Sequence, residues 1–278
     1  MLVEGFSTTY DLCLSALRDG KTLEAFVEPT ISAKTPVDYQ AALDSGRVLA
    51  PIDHPDPAHA NVTGTGLTHL GSAAGRDKMH SGGEDKTAEE NLTDSMKMFN
   101  LGLEGGKPES GFGVQPEWFY KGDGSVIVKP GGSFLSPKFA LDGSEEPECV
   151  GLYVVSDEGV PVVREHIILL LLSLFSCAAF YLTRWRACCA QRVGYALGNE
   201  FSDHVMERQN YLYLAHSKLR NCSFGPELLV GDLPGDVQGM SRIYRDGKLL
   251  WEKEFVSGED NMSHFIGNLE HHHFKYKQ

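Results

Sequence analysis

The stretch from Ile167 to Thr183 contains no charged side chain, and Arg184, Trp185 and Arg186 follow it directly. That length is at the short end of what crosses a hydrocarbon core, and a basic, aromatic flank is what anchors such a crossing. Read by itself, the segment predicts a transmembrane helix. Its neighbours constrain it further, because the stretches on either side read as strands that carry carboxylates: Glu146 and Glu148 before it, Glu200 after it. One crossing would leave these acids on opposite sides of a bilayer, whereas carboxylates sharing an ion lie within a few ångströms of it. A span and a shared site therefore exclude each other. Apolar residues make up 41% of the chain and charged residues 23%, the balance of a soluble globular protein. We read 163–191 as a hydrophobic helical insertion without catalytic role, ahead of a buried or surface-lying helix, with a true membrane span last.

Around that segment the chain reads as alternating short elements. Residues 8–27 predict two short helices broken near Gly20, and Pro51, Pro55 and Pro57 force an extended linker after them. Val62 to Ser72 reads as a strand entering a Gly-rich turn, and 84–101 as a helix. From Gln115 onward, β-rich runs are punctuated by turns: Val126 to Val128, Val150 to Val155, Arg192 to Phe201, and a hairpin through Asp246–Gly247. The expected fold class is α+β, mostly β. Residues 1–49 are expected to form an N-terminal helical appendage and linker, and 50–278 a catalytic domain. A net charge of −13 excludes a general nucleic-acid binder, whose phosphate affinity needs clustered Lys and Arg. Six cysteines without a C-x-x-C pair fit a reducing compartment. With no secretory signal visible, a cytoplasmic protein is expected.

Residues i and i+2 of an extended backbone point the same way, so Glu146 and Glu148 project to one face, able to grip one hard cation. Alone, such a pair more often forms a solvated acidic turn. Glu200 at the end of a second apolar strand supplies a third carboxylate. An oxygen-only set suits Mg²⁺ or Mn²⁺ better than zinc. The run Glu270–His273 reads as a polar surface segment rather than a metal cluster, because three consecutive His cannot all face one ion in a regular strand. No phosphate-binding G-x-x-x-x-G-K-[ST] loop and no G-x-S-x-G elbow occurs.

Four motifs in order carry a resemblance: Pro116-Glu-Trp-Phe-Tyr-Lys121, Glu146-Pro-Glu148, Asn199-Glu-Phe-Ser202, and Lys218 ahead of Gly225-Pro226. Together they resemble the fumarylacetoacetate hydrolase superfamily. Gly66-Leu-Thr68 with Ser72 and Arg76, then Glu207, Asn210 to Leu214 and Lys218, are more similar to its sugar-acid branch, the 2-keto-3-deoxy-arabinonate dehydratases. The resemblance covers roughly 50–160 and 193–275. It implies a β-roll around a Mg²⁺ (or Mn²⁺) ion held by Glu146, Glu148 and Glu200, a homodimer, and a small-molecule 2-oxo acid substrate. Lys121, Lys218, His69 and His204 become catalytic candidates, and Thr68, Ser72, Arg76, Ser202 and Tyr211 substrate-binding ones. The implied activity is dehydration of a 2-keto-3-deoxy sugar acid through a metal-stabilised enolate. C–C bond hydrolysis or decarboxylation of a 2-oxo acid shares that enolate and stays open, as does an inactive, membrane-attached remnant. Two positions depart from the pattern: Glu200 stands where Asp is usual, and His204 where Arg is common. Relatives also continue beyond Gln278, so part of the family's pocket wall is expected to be missing.

Overall fold

The computed structural model describes residues 2–32, 36–66, 68–81, 92–157 and 191–275. The hydrophobic insertion read at 163–191 lies outside them apart from Gln191, as does the first part of the helix read at 84–101. In chain order the elements are β1 (Leu2–Val3), α1 (Thr9–Arg18), α2 (Leu23–Val27), β2 (Ile31–Ser32), α3 (Tyr39–Asp44), β3 (Asn61–Gly64), α4 (Leu70–Ser81), α5 (Asp94–Gly105), β4 (Phe119–Asp123), β5 (Pro147–Val154), β6 (Gln191–Glu200), α6 (His204–Gln209), α7 (Leu214–Ser217), β7 (Cys222–Phe224), β8 (Leu229–Val230), β9 (Val237–Arg245), β10 (Lys248–Ser257) and α8 (Ile266–Phe274). Helices and antiparallel sheets thus mix along the chain. No helix among the described residues is long and apolar enough to cross a membrane.

The sheet that matters for the site is built on β5 and β6. They pair antiparallel with Glu148 opposite Gly198 and Val150 opposite Ala196, and β7 and β8 add to the other edge of β6. This register brings the N-terminal end of β5 and the C-terminal end of β6 together, which is where the sequence places Glu146, Glu148 and Glu200. Along one face, Leu152, Ala196 and Phe224 form a buried cluster. At the opposite end of the ladder, Val154 and Val193 pack against Leu12, Cys13, Leu14, Ala16 and Leu23 of α1 and α2. Helix α1 forms where it does because Thr8 caps it: its side chain accepts from the Asp11 N–H at 3.0 Å and donates to the Asp11 carboxylate at 2.8 Å. The chain turns at Gly20, whose φ of +66° suits glycine.

Two departures from the sequence reading are instructive. Residues after Gly64 do not continue as a strand and turn; they enter α4 at Leu70. The His run, read as a polar surface segment, is half-buried on α8, and the helix sends its imidazoles to different partners. His271 stacks on Phe112 with ring centroids 3.7 Å apart, and His272 Nε2 lies 2.9 Å from the Gly113 carbonyl. His273 Nδ1 accepts from the Trp118 indole at 2.7 Å. Asn268, fully buried, accepts from the Gly113 N–H at 2.8 Å and donates to the Val114 carbonyl at 2.9 Å. Helix α8 therefore clamps the segment 112–118 that leads into β4, the strand that carries Lys121.

Candidate metal centre

Glu146, Glu148 and Glu200 each offer an oxygen, and the three oxygens lie within 4.8 Å of one another. Among the described residues this is the one acidic or metal-ligating group of that kind. The backbone fixes the spacing, since Glu200 N–H donates to the Glu146 carbonyl at 2.9 Å and Glu146 N–H to the Asn199 side chain at 3.3 Å.

Two lysines stand behind the triad. Lys218 Nζ, wholly buried, is 2.6 Å from each oxygen of Glu146 and 2.9 Å from Ser202 Oγ. It also lies 3.5 Å from Glu200 and 3.9 Å from Glu207. Burial alone would discharge this ammonium, but Glu146, Glu200 and Glu207 outweigh it and raise its pKa. Lys121 donates to the Phe201 and Lys218 carbonyls at 2.9 and 3.0 Å and sits 3.7 Å from Glu200. With less charge around it, burial wins and its pKa falls. His204 Nε2 lies 2.9 Å from Glu146 Oε1. That bond raises the imidazole's pKa against the pull of burial.

The carboxylates respond in opposite directions. Burial pushes Glu146 up, but Lys218 and His204 overcome it and hold Glu146 well below the usual range. Enclosure, then the charges of Glu200 and Glu146, push Glu148 up to about 8, and burial raises Glu200. Glu148 nevertheless keeps accessible surface in the cleft, so hydration weakens the enclosure effect. The repulsion from its two neighbours is the part of the rise that persists.

A second layer continues outward. Arg76 Nη1 donates to Glu117 at 2.9 Å. Its Nε lies 2.6 Å from Glu207 Oε1 as an ion pair, and among the described residues that buried oxygen has no hydrogen-bond partner. Gly66 passes so close that a Cβ there would overlap the Glu117 carboxylate. The connected network holds five carboxylates (Glu117, Glu146, Glu148, Glu200, Glu207) against three basic side chains besides His204 (Arg76, Lys121, Lys218). With all five carboxylates ionised, as a bound cation requires of the triad, and His204 neutral, two negative charges are left uncompensated. An all-oxygen set with a surplus of two negative charges fits one hard divalent cation.

The structure brings together most of the residues singled out from sequence. The three glutamates, Lys121, Lys218, His204, Ser202 and Arg76 share one network. Thr68 and His69 line the same open cleft of about 2080 Å³, but they bond elsewhere. The Thr68 hydroxyl is 3.0 Å from His69 Nδ1, and His69 Nε2 is 3.2 Å from Ser257 Oγ. Both ring nitrogens are thus engaged away from the triad, and burial lowers the pKa of His69. Ser72 is exposed on the first turn of α4 at the cleft wall. Tyr211 opens a single 3₁₀ turn, and its side chain lies outside the described residues. Sequence reasoning gave no role to Glu117 or Glu207 although both stood within the quoted motifs, and it missed Asp203 and Arg220 altogether.

No protein-family model matches the chain, and no curated protein matches it. Solved structures do. A hexagonal crystal form of 2-keto-3-deoxyarabinonate dehydratase superposes with a TM-score of 0.59 at 17% identity, over 98% of this chain and 75% of that one. The 2-keto-3-deoxy-D-arabinonate dehydratase complexed with magnesium and 2,5-dioxopentanoate gives 0.56 at 17%, over 95% and 72%. Its apo form gives 0.52 at 17%, over 96% and 72%. At such identity the likeness establishes the fold: this chain has the fold of those dehydratases.

Proposed function

We propose that the chain is a divalent-metal-dependent lyase of the fumarylacetoacetate hydrolase superfamily, a dehydratase acting on a 2-keto-3-deoxy sugar acid. The observation that carries the reading is the convergence of Glu146, Glu148 and Glu200 within 4.8 Å in a network with more carboxylates than cationic side chains. The four ordered sequence motifs support it. So does a fold shared with a dehydratase whose structure holds magnesium and a 2-oxo acid.

Glu146, Glu148 and Glu200 would hold the cation, whose chemistry when bound is to polarise the carbonyl and carboxylate oxygens of a 2-oxo acid. The chain's own groups do the rest. Lys121, anchored by two carbonyls, and Lys218 supply positive charge where the substrate's carboxylate or a developing oxyanion is held. His204 faces the triad with a raised pKa, which suits it to give a proton to the departing C4 hydroxyl as water leaves; the C3 proton goes to a base in the cleft. His69, tied to Thr68 and Ser257, acts in this reading by shaping the Thr68 loop. The protein works as a cytoplasmic homodimer.

The test is product analysis with Mg²⁺ present. A 2-keto-3-deoxy-pentonate should lose water and an acylpyruvate should stay intact. Cleavage of the acylpyruvate, with the sugar acid untouched, would move the assignment to C–C bond hydrolysis on the same metal centre.

A further inference from the structure

The triad comes from two chain segments, and the residue that ties those segments together lies outside the triad. Glu146 and Glu148 follow the loop ending at Ser144, while Glu200 precedes the turn 201–203. Ser144 and Ser202 exchange backbone hydrogen bonds, 3.0 Å in each direction. Across this junction sits the guanidinium of Arg220, with no exposed side-chain surface, paired to the equally buried Asp203.

The contacts of Arg220 reach both segments. Nη1 donates to the Asp142 carbonyl at 2.9 Å and to the Ser202 carbonyl at 3.2 Å, and Nη2 to Asp203 Oδ2 at 2.9 Å. Its flat face lies over the ring of Phe201, 5.4 Å from the centroid, and Phe201 in turn stacks on Phe134 at 5.2 Å. Asp203 completes the tie. Oδ2 also accepts from the Leu141 N–H at 2.8 Å, and Oδ1 caps α6 through the Met206 N–H at 2.8 Å. One ion pair therefore touches 141 and 142 on the Glu146 side and 201, 202, 203 and 206 on the Glu200 side.

A buried ion pair gains little net stability, because desolvating both charges offsets their attraction. What it fixes is geometry, and a planar fork with several donors and a stacking face does this as a lysine cannot. We propose that Arg220 and Asp203 form a brace that sets the separation of the Glu146–Glu148 and Glu200 carboxylates, making Arg220 a positioning residue for the cation. The proposal rests on the metal reading of that site. Loss of a group that orients metal ligands from outside typically weakens affinity about 10–100-fold, and that range is expected here.

The experiment is Mn²⁺ binding to the purified full chain, followed by electron paramagnetic resonance, for wild type, Arg220→Lys, Asp203→Asn and Leu14→Ala. Asp203→Asn is nearly isosteric and its one amide oxygen can still cap α6 through the Met206 N–H, while the acceptor that Oδ2 offers to Arg220 and Leu141 is lost, so it tests the brace even where Arg220→Lys folds poorly. Leu14→Ala weakens the core under α1, away from the junction. The brace predicts about 10–100-fold weaker Mn²⁺ binding and an altered spectrum of the bound ion in the two brace variants, with the wild-type dissociation constant in Leu14→Ala. Wild-type affinity in both brace variants overturns the proposal. So does an equal loss in Leu14→Ala, which would make the effect one of general stability. A wild-type chain that binds no Mn²⁺ sinks the metal reading itself, and the purpose of the brace with it.

Discussion

The β5–β6 ladder has two ends made by the same pairing and serving opposite purposes. At one end, Val154 and Val193 disappear into an apolar cluster with Leu12, Leu14 and Leu23. At the other, Glu146, Glu148 and Glu200 are pressed together with too few cations to balance them. Apolar burial contributes stability in proportion to area removed from water, and crowded like charges subtract from it. The ladder thus couples a stabilising end to a strained one, and the rigidity of the first holds the charges of the second where an ion can use them. Separating the two ends experimentally is the way to break this picture.

The largest effect belongs to the charged end. Glu146→Gln should abolish metal-dependent turnover and weaken Mn²⁺ binding by more than about 100-fold, the upper limit for groups that only orient ligands. Measured by calorimetry, wild-type affinity in that variant would remove Glu146 from the ligand set. Next in size is Lys218→Met. Removing one partner of a buried ion pair typically costs about 3–5 kcal/mol, because Glu146 would keep its charge without the ammonium 2.6 Å away. Urea unfolding should show that loss, with part of it recovered when Mg²⁺ is added. Full stability in metal-free Lys218→Met would mean that Lys218 does not balance the triad.

The apolar end should behave in the opposite way. Leu14→Ala removes a buried side chain and should cost about 2–4 kcal/mol through lost burial and the cavity left behind. The metal dissociation constant should stay at its wild-type value. A matching fall in affinity would show that the two ends are not separable.

Much of this contrast was legible before the structure. The β-rich runs Val150 to Val155 and Arg192 to Phe201 located β5 and β6, and i, i+2 spacing put Glu146 and Glu148 on one face. Asp246–Gly247 marked the β9–β10 turn, where both residues adopt positive φ, 52° and 73°. Local patterns carried these features because the physics behind them is local. Arg220 and Asp203 were invisible for the opposite reason. Seventeen residues apart, they meet only through the tertiary fold, and no periodicity marks a charged residue that will be buried. Arg76 reaching Glu117 across forty-one residues is the same case. For the His run, composition pointed only to a polar surface segment; the separate contact that α8 gives each imidazole depends on partners far away in sequence.

The residues just ahead of that helix offer a pH-dependent effect and a check from outside the ladder. His264 is buried, with Nδ1 2.9 Å from the Asn268 side chain that clamps segment 112–118. Burial, then His272 and Lys107, lower its pKa to about 4, below the value near 6.5 of an unfolded chain. Between those values the unfolded state binds the proton and the folded state does not, so stability falls as the pH drops. The contribution is fully present above about pH 6.5 and gone once the pH has passed below about 4. His264→Gln cannot titrate there. Its stability deficit relative to wild type should therefore be widest near pH 7 and shrink steadily toward pH 4, as read from urea midpoints at each pH. A deficit that stays constant would show that the His264 imidazole keeps an ordinary pKa. In that case the acid sensitivity of the metal-free protein would have to be sought at the charged end of the ladder.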